Sequence, residues 1–129
     1  MPLGTEMIKL MHVEVTGRVI GAAFEVWKTL GYGFLEKVYE NALVHETTRT
    51  GLIVQQQFGM DVYYKKILVG KYKADLFVAG RVIVEVKAEK DYNPKHQAQL
   101  LNDLRATGIR VGLLINFGER KCAYKRLVV

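Results

Sequence analysis

Ala74-Asp-Leu-Phe-Val-Ala-Gly-Arg-Val-Ile-Val-Glu-Val-Lys-Ala88 is the stretch from which the rest of the chain is read. Two runs rich in β-branched and aromatic residues flank Ala79-Gly80-Arg81, a three-residue loop with a glycine available for positive φ, so a β-hairpin is expected. Pairing the strands about Gly80 sets Asp75 opposite Glu85. Side chains alternate along a strand, which puts Asp75, Glu85 and Lys87 on one face, the two carboxylates roughly 4.5–5.5 Å apart at Cβ. Leu76, Val78, Val82, Val84 and Val86 take the other face, while Phe77 and Ile83 keep the charged face partly apolar.

Two carboxylates side by side in a half-buried sheet repel each other, and the usual escape is a raised pKa or a bound cation. A divalent cation held by both, with a lysine two residues on, is a recognisable hydrolytic arrangement. Oxygen ligands suit Mg²⁺ or Mn²⁺, and the ammonium stabilises a nucleophile or developing charge. The simpler alternative is a pair of solvated carboxylates with Lys87 as their ion-pair partner. Further motifs along the chain favour the functional reading.

The chain has 129 residues, half of them apolar, with no repeat, linker or low-complexity run, so a single domain over residues 1–129 is expected. Nineteen basic residues against thirteen acidic ones leave a net charge of +6, which permits an anionic partner without demanding one. The longest uncharged stretch of the first helix, Val19 to Phe24, falls far short of the ~20 residues of a membrane span. The N-terminus lacks the pattern of a signal peptide, and one cysteine, Cys122, excludes an internal disulfide and a cysteine zinc cluster. A cytoplasmic location without membrane contact is expected.

Taken in order, the pattern predicts a helix from about Thr5 to Leu30 with Ile8, Met11, Val15, Val19, Phe24 and Trp27 or Leu30 on its apolar face. Gly17 and Gly21, one turn apart, suggest a close helix crossing. Gly31-Tyr32-Gly33 breaks this helix and a second runs from Phe34 to Thr50, where Glu36, Tyr39, Glu40 and Leu43 form a stripe. Either Glu36 or Glu40 suits the macrodipole, and either suits a third carboxylate aimed at the site; periodicity does not choose. Leu52–Lys65 alternates as a strand with Val54, Phe58, Met60, Val62 and Tyr64 on one side. Asn93-Pro94 reads as a cap and first turn of a helix closed by Gly108, with Leu100, Leu101 and Leu104 inward and Gln99 on the opposite side. Val111 to Ile115 is an unbroken apolar run, a buried strand that reaches toward Phe117, and Cys122–Val129 is a last strand. The order α-α-β-β-β-α-β-β makes an α/β domain, a mixed central β-sheet flanked by helices.

These residues carry a resemblance. Gly33-Phe-Leu-Glu36-Lys-Val-Tyr39-Glu40 is similar to the pattern of the GxxExxY family. The likeness continues through Ala74-Asp75, Val84-Glu85-Val-Lys87-Ala88, Ala98-Gln99-Leu-Leu-Asn102 and Gly112-Leu-Leu-Ile-Asn-Phe-Gly118. That family resembles the PD-(D/E)XK nuclease superfamily, which implies a restriction-endonuclease-like sheet and Mg²⁺-dependent (or Mn²⁺-dependent) hydrolysis of a nucleic-acid phosphodiester. By resemblance, Asp75 and Glu85 are metal ligands, Lys87 is the catalytic lysine and Glu36 completes the metal site. Gln99 stands beside the active site or the nucleic acid, with Gln97 the runner-up. The chain departs from the pattern at Ala74 in place of proline, at Asp103 in place of a tyrosine and at Trp27 in place of a histidine. The implied partner is nucleic acid, DNA first, and a homodimer follows by fold-level analogy because so small a chain often cuts a duplex as a pair. The competing reading is a catalytically silent module of the same fold that binds nucleic acid or a protein.

Overall fold

The computed structural model describes residues 11–129. The expected central hairpin is present: β2 (Ile67–Val78) and β3 (Val82–Lys87) pair Val78 with Val82, Phe77 with Ile83 and Leu76 with Val84. The loop is tighter than a single glycine requires, because Ala79 (φ 54°) shares the left-handed region with Gly80 (φ 63°). The Arg81 amide closes it on the Val78 carbonyl at 3.0 Å.

The remaining elements are α1 (Val13–Leu30), α2 (Glu36–Arg49), β1 (Val54–Tyr64), α3 (Pro94–Thr107), β4 (Val111–Phe117) and β5 (Cys122–Val128). The five strands form one sheet in the order β1-β2-β3-β4-β5. Only β3 and β4 run parallel, joined by α3 as crossover, so the sheet is mixed. Asn93 caps α3 by accepting the Lys95 amide at 3.0 Å, Pro94 opens it, and Gly108 ends it at φ 78°. No helix of the described residues is long and apolar enough to cross a membrane.

The sheet carries helices on both faces. Beneath α1 and α2 the first core joins Val19, Ala23, Val26, Tyr39 and Leu43 to Leu76, Val84, Val86, Leu113 and Ile115. Beneath α3 a smaller core joins Leu100 and Leu104 to Phe77, Ile83, Leu114 and Leu127. Every residue of β4 is buried, as its unbroken apolar run requires when both faces are covered.

Three expectations need correction. Phe24, expected in the core, is 44% exposed, and α1 instead buries Val15, Thr16, Val19, Ala22, Ala23 and Val26. Bulk is a poor guide here, since two alanines, Ala22 and Ala23, take buried positions on α1; Ile8 and the expected start at Thr5 lie outside the described residues. Gly17 and Gly21 mark no helix crossing, because both are exposed and a Cβ on either would meet nothing within 4 Å. A helix-interior glycine in open space only costs helix stability, so Gly21→Ala is expected to raise stability by about 1 kcal/mol in a denaturant melt.

The unbroken alternation expected of β1 is the third, and the same break in β2 bears on the site. Leu76 and Val78 pack under α1 and α2, yet Ala74 and Tyr72, in the same alternation, pack under α3. On β1, Val54 lies on the first side and Phe58 and Met60 on the second. Both strands therefore reverse their pleat at one level, where Gln57 has a left-handed φ of 52° opposite Asp75. An irregularity of this kind re-aims the side chains around it.

Candidate active site

The ladder between β2 and β3 stops at Leu76 and Val84, and Asp75 is the next residue along. Its carboxylate sits where the strands part: Oδ2 accepts the Val86 amide at 2.8 Å and Oδ1 accepts Gln57 Nε2 at 3.4 Å. A backbone amide that would otherwise lose its partner is thus satisfied by an acid, which fixes the acid beside Glu85.

Glu85 is the strained member of the pair. Burial, and then the Asp75 charge, push its carboxyl up to about 8. The Tyr72 hydroxyl donates to its Oε1 and works in the opposite direction, favouring the charged form. Burial and the Glu85 charge in turn raise the Tyr72 phenol, so it remains a donor.

Lys87, two residues on, closes no salt bridge with a described residue. Its ammonium is felt by Glu36, at the first turn of α2. Glu36 is exposed, yet the surrounding protein still desolvates it enough to raise its carboxyl; Lys87 lowers it, and Asp75 and Glu40 raise it further. The ambiguity between Glu36 and Glu40 has a geometric resolution. Glu40 is only 3% exposed and its oxygens are occupied by Lys37 (2.8 Å), Gln56 (2.5 Å) and Gln57 (2.9 Å). Burial opposes its charge, but those three hydrogen bonds hold its carboxyl below the ordinary value. Glu40 is a satisfied anchor, linked to Asp75 through the amide of Gln57, whereas Glu36 keeps its carboxylate free of hydrogen bonds to described residues.

Tyr39 fixes the start of α2. It is fully buried, stacks on Phe117 with centroids 4.6 Å apart, donates to the Gly31 carbonyl at 2.5 Å and accepts the Phe34 amide at 3.3 Å. The loop before α2, and with it Glu36, is held by one side chain three residues further on.

Gln99 stands on the exposed side of α3 and donates to Asp103 at 3.1 Å. Burial raises the Asp103 carboxyl, and its charge reaches the Tyr72 phenol, so Gln99 lies at the rim of this carboxylate cluster. Gln97 is turned elsewhere, accepting the Tyr92 hydroxyl at 2.9 Å.

The structure brings Asp75 and Glu85 together, with Lys87 following on β3. Among the described residues no group of three His, Cys, Asp or Glu side chains forms a ready-made metal cage; Glu36 feels the Asp75 charge without completing one. The pair still fits a hard divalent cation: both donors are carboxylate oxygens, Mg²⁺ retains several waters and takes one or two carboxylates, and a cation would relieve the cost of ionising Glu85. Sequence reasoning misses Tyr72, Gln56 and Gln57. The polar run Gln55-Gln56-Gln57 inside a strand is the available signal, since such residues are poor strand formers unless they have partners. Tyr72 offers none, because a tyrosine in a strand is ordinary.

A family model described as the PD-(D/E)XK nuclease superfamily matches residues 13–127. The crystal structure of a protein called SSO0001 superposes with a TM-score of 0.56 at 13% identity, over 96% of this chain. The chain spans 57% of that protein's length, so the likeness is one of fold. No curated protein matches the sequence.

Proposed function

Because the chain belongs to the PD-(D/E)XK nuclease superfamily, we propose that it is a metal-dependent nuclease that hydrolyses nucleic-acid phosphodiester bonds, DNA first. The observation that carries this is the Asp75–Glu85 pair at the fork of β2 and β3, with Lys87 two residues on and free of any salt bridge among described residues. Asp75 and Glu85 are the residues that would hold Mg²⁺ or Mn²⁺, and Glu36 is the third acid that would face it. Bound there, the cation would polarise the scissile phosphate and offset the charge that develops on it.

The chain's own groups do the rest. The Val86 amide and Gln57 hold Asp75 in one orientation, and Tyr72 holds Glu85. Lys87 presents an unshared ammonium to the attacking water and to the phosphoryl oxygens, where charge grows in the transition state. Gln99 borders the path of the strand on α3. Cys122 is buried and unpaired, in keeping with a cytoplasmic protein, and a homodimer would supply the second cut of a duplex.

The test is cleavage of plasmid, single-stranded DNA, a four-way junction and RNA with Mn²⁺, Mg²⁺ and EDTA. Metal-dependent cutting of at least one substrate is expected. One observation favours the competing reading of a silent binding module, namely that Glu36 is not gathered into a three-acid cage. Salt-dependent DNA binding that survives Asp75→Ala, with no cutting by the wild type, would decide for it.

A further inference from the structure

Beside Lys87 the sheet ends in a cavity of about 260 Å³ whose walls include Lys90, Tyr92, Asn116, Gly118, Arg120 and Lys121. In the parallel register Asn116 is the β4 partner of Lys87, so the cavity begins one strand away from the lysine. It lies on the same side of the sheet, because Asn116 alternates with Leu114, which packs beneath α3 as Ile83 does on the lysine's strand. Three cations line it against one acid, Asp91. Lys90 is partly neutralised by Glu119 at 3.8 Å, while Arg120 and Lys121 are exposed and close no salt bridge with a described residue.

The walls are held in place before any ligand arrives. Asn116 is buried, accepts the Glu89 amide at 2.9 Å and donates to the Glu89 carbonyl at 3.0 Å, tying the loop after β3 to β4. The Glu119 amide donates to Lys90 O, and the Gly118 amide to Lys121 O, both at 3.1 Å. Gly118 has no room for a side chain, since a Cβ there would lie 2.9 Å from Lys121 O and 3.1 Å from Lys90 O. From the opposite layer Trp27 Nε1 donates to Gly118 O at 3.0 Å. Trp27 thus pins the turn that displays Arg120 and Lys121.

We propose that this cavity is the subsite for the nucleotide adjoining the scissile phosphate, its phosphate held by Arg120 and Lys121 and its base against the Tyr92 wall. A small, basic, partly aromatic recess one strand from the proposed catalytic lysine has the chemistry of a single nucleotide unit. This rests on the nuclease reading and adds where the substrate strand lies.

The test uses binding without chemistry. In EDTA, wild type, Arg120→Ser/Lys121→Ser and the charge-matched control Lys28→Ser/Arg49→Ser are titrated with short fluorescein-labelled single-stranded and duplex DNA. Anisotropy gives the affinity, and Trp27, the single tryptophan, reports the Gly118 turn directly. The pocket variant is expected to bind about tenfold more weakly, with a salt slope shallower by about one to two, while the control stays near wild type. DNA should change Trp27 emission in the wild type. Equal affinity in the pocket variant and the wild type overturns the subsite while leaving the nuclease reading intact. So does equal weakening in variant and control, which would mean general charge alone. A wild type that binds no nucleic acid sinks both readings. Both altered residues are exposed, and matching melting temperatures would exclude misfolding as the cause.

Discussion

Replacing Lys87 with alanine is expected to lower metal-dependent cleavage by about 10²–10³-fold, the usual loss when one preorganised charge aimed at a developing anion is removed. The fold should survive, because Lys87 closes no salt bridge with a described residue and its removal strands no buried partner. What changes is the local field: Glu36 loses the cation that lowers its carboxyl and should titrate higher. Lys87→Arg keeps the charge but spreads it over a wider planar group, so partial activity at best is expected. Cleavage is measured under single-turnover conditions, with thermal melts and circular dichroism alongside. Wild-type cutting by a folded Lys87→Ala protein would remove Lys87 from the mechanism.

Glu85→Gln should raise stability at alkaline pH while also abolishing cleavage. The folded-state carboxyl lies at about 8 against an ordinary 4.5, raised by burial and by Asp75. Between those values the native chain retains a proton that the unfolded chain has released, so stability falls as pH rises. The contribution is fully present below about pH 4.5 and gone above about pH 8. Each tenfold change in proton affinity is worth about 1.4 kcal/mol, so the whole loss is about 3–5 kcal/mol. Glutamine mimics the protonated acid and can still accept from Tyr72, so the variant should match wild type near pH 4.5 and melt higher at pH 8 to 9. Mg²⁺ should stabilise wild type at pH 8 and leave Glu85→Gln unmoved, since binding to the native state alone raises its stability. Melting profiles across pH, with and without Mg²⁺, read both effects. A variant that melts lower than wild type at every pH would mean that the Glu85 charge is well satisfied and the pair is not strained.

Much of the fold is written in local patterns. The hairpin about Gly80, the Asn93-Pro94 start and Gly108 stop of α3, and the doubly buried β4 all follow from short-range rules of turn chemistry, capping and periodicity. The order α-α-β-β-β-α-β-β and the mixed sheet follow from them in turn. The acidic pair is equally legible, because Asp75 and Glu85 are brought together by one hairpin and need no distant element.

Other features depend on how the layers come together. Glu36 and Glu40 lie one helical turn apart and look alike to any periodic test; only the approach of Gln56 and Gln57 from β1 makes Glu40 a saturated anchor. Tyr72 meets Glu85 because the pleat reverses at Asp75, an irregularity that alternation cannot announce. Phe24 escapes the core for a related reason, since the packed layers bury Ala22 and Ala23 of α1 in its place. The elements, their order and the paired acids are thus properties of the amino-acid sequence, each resting on residues within a turn or a hairpin. Which acid is spent on structure, which tyrosine faces Glu85 and where Trp27 is anchored are properties of the packed molecule, because they arise from contacts between residues distant in the chain.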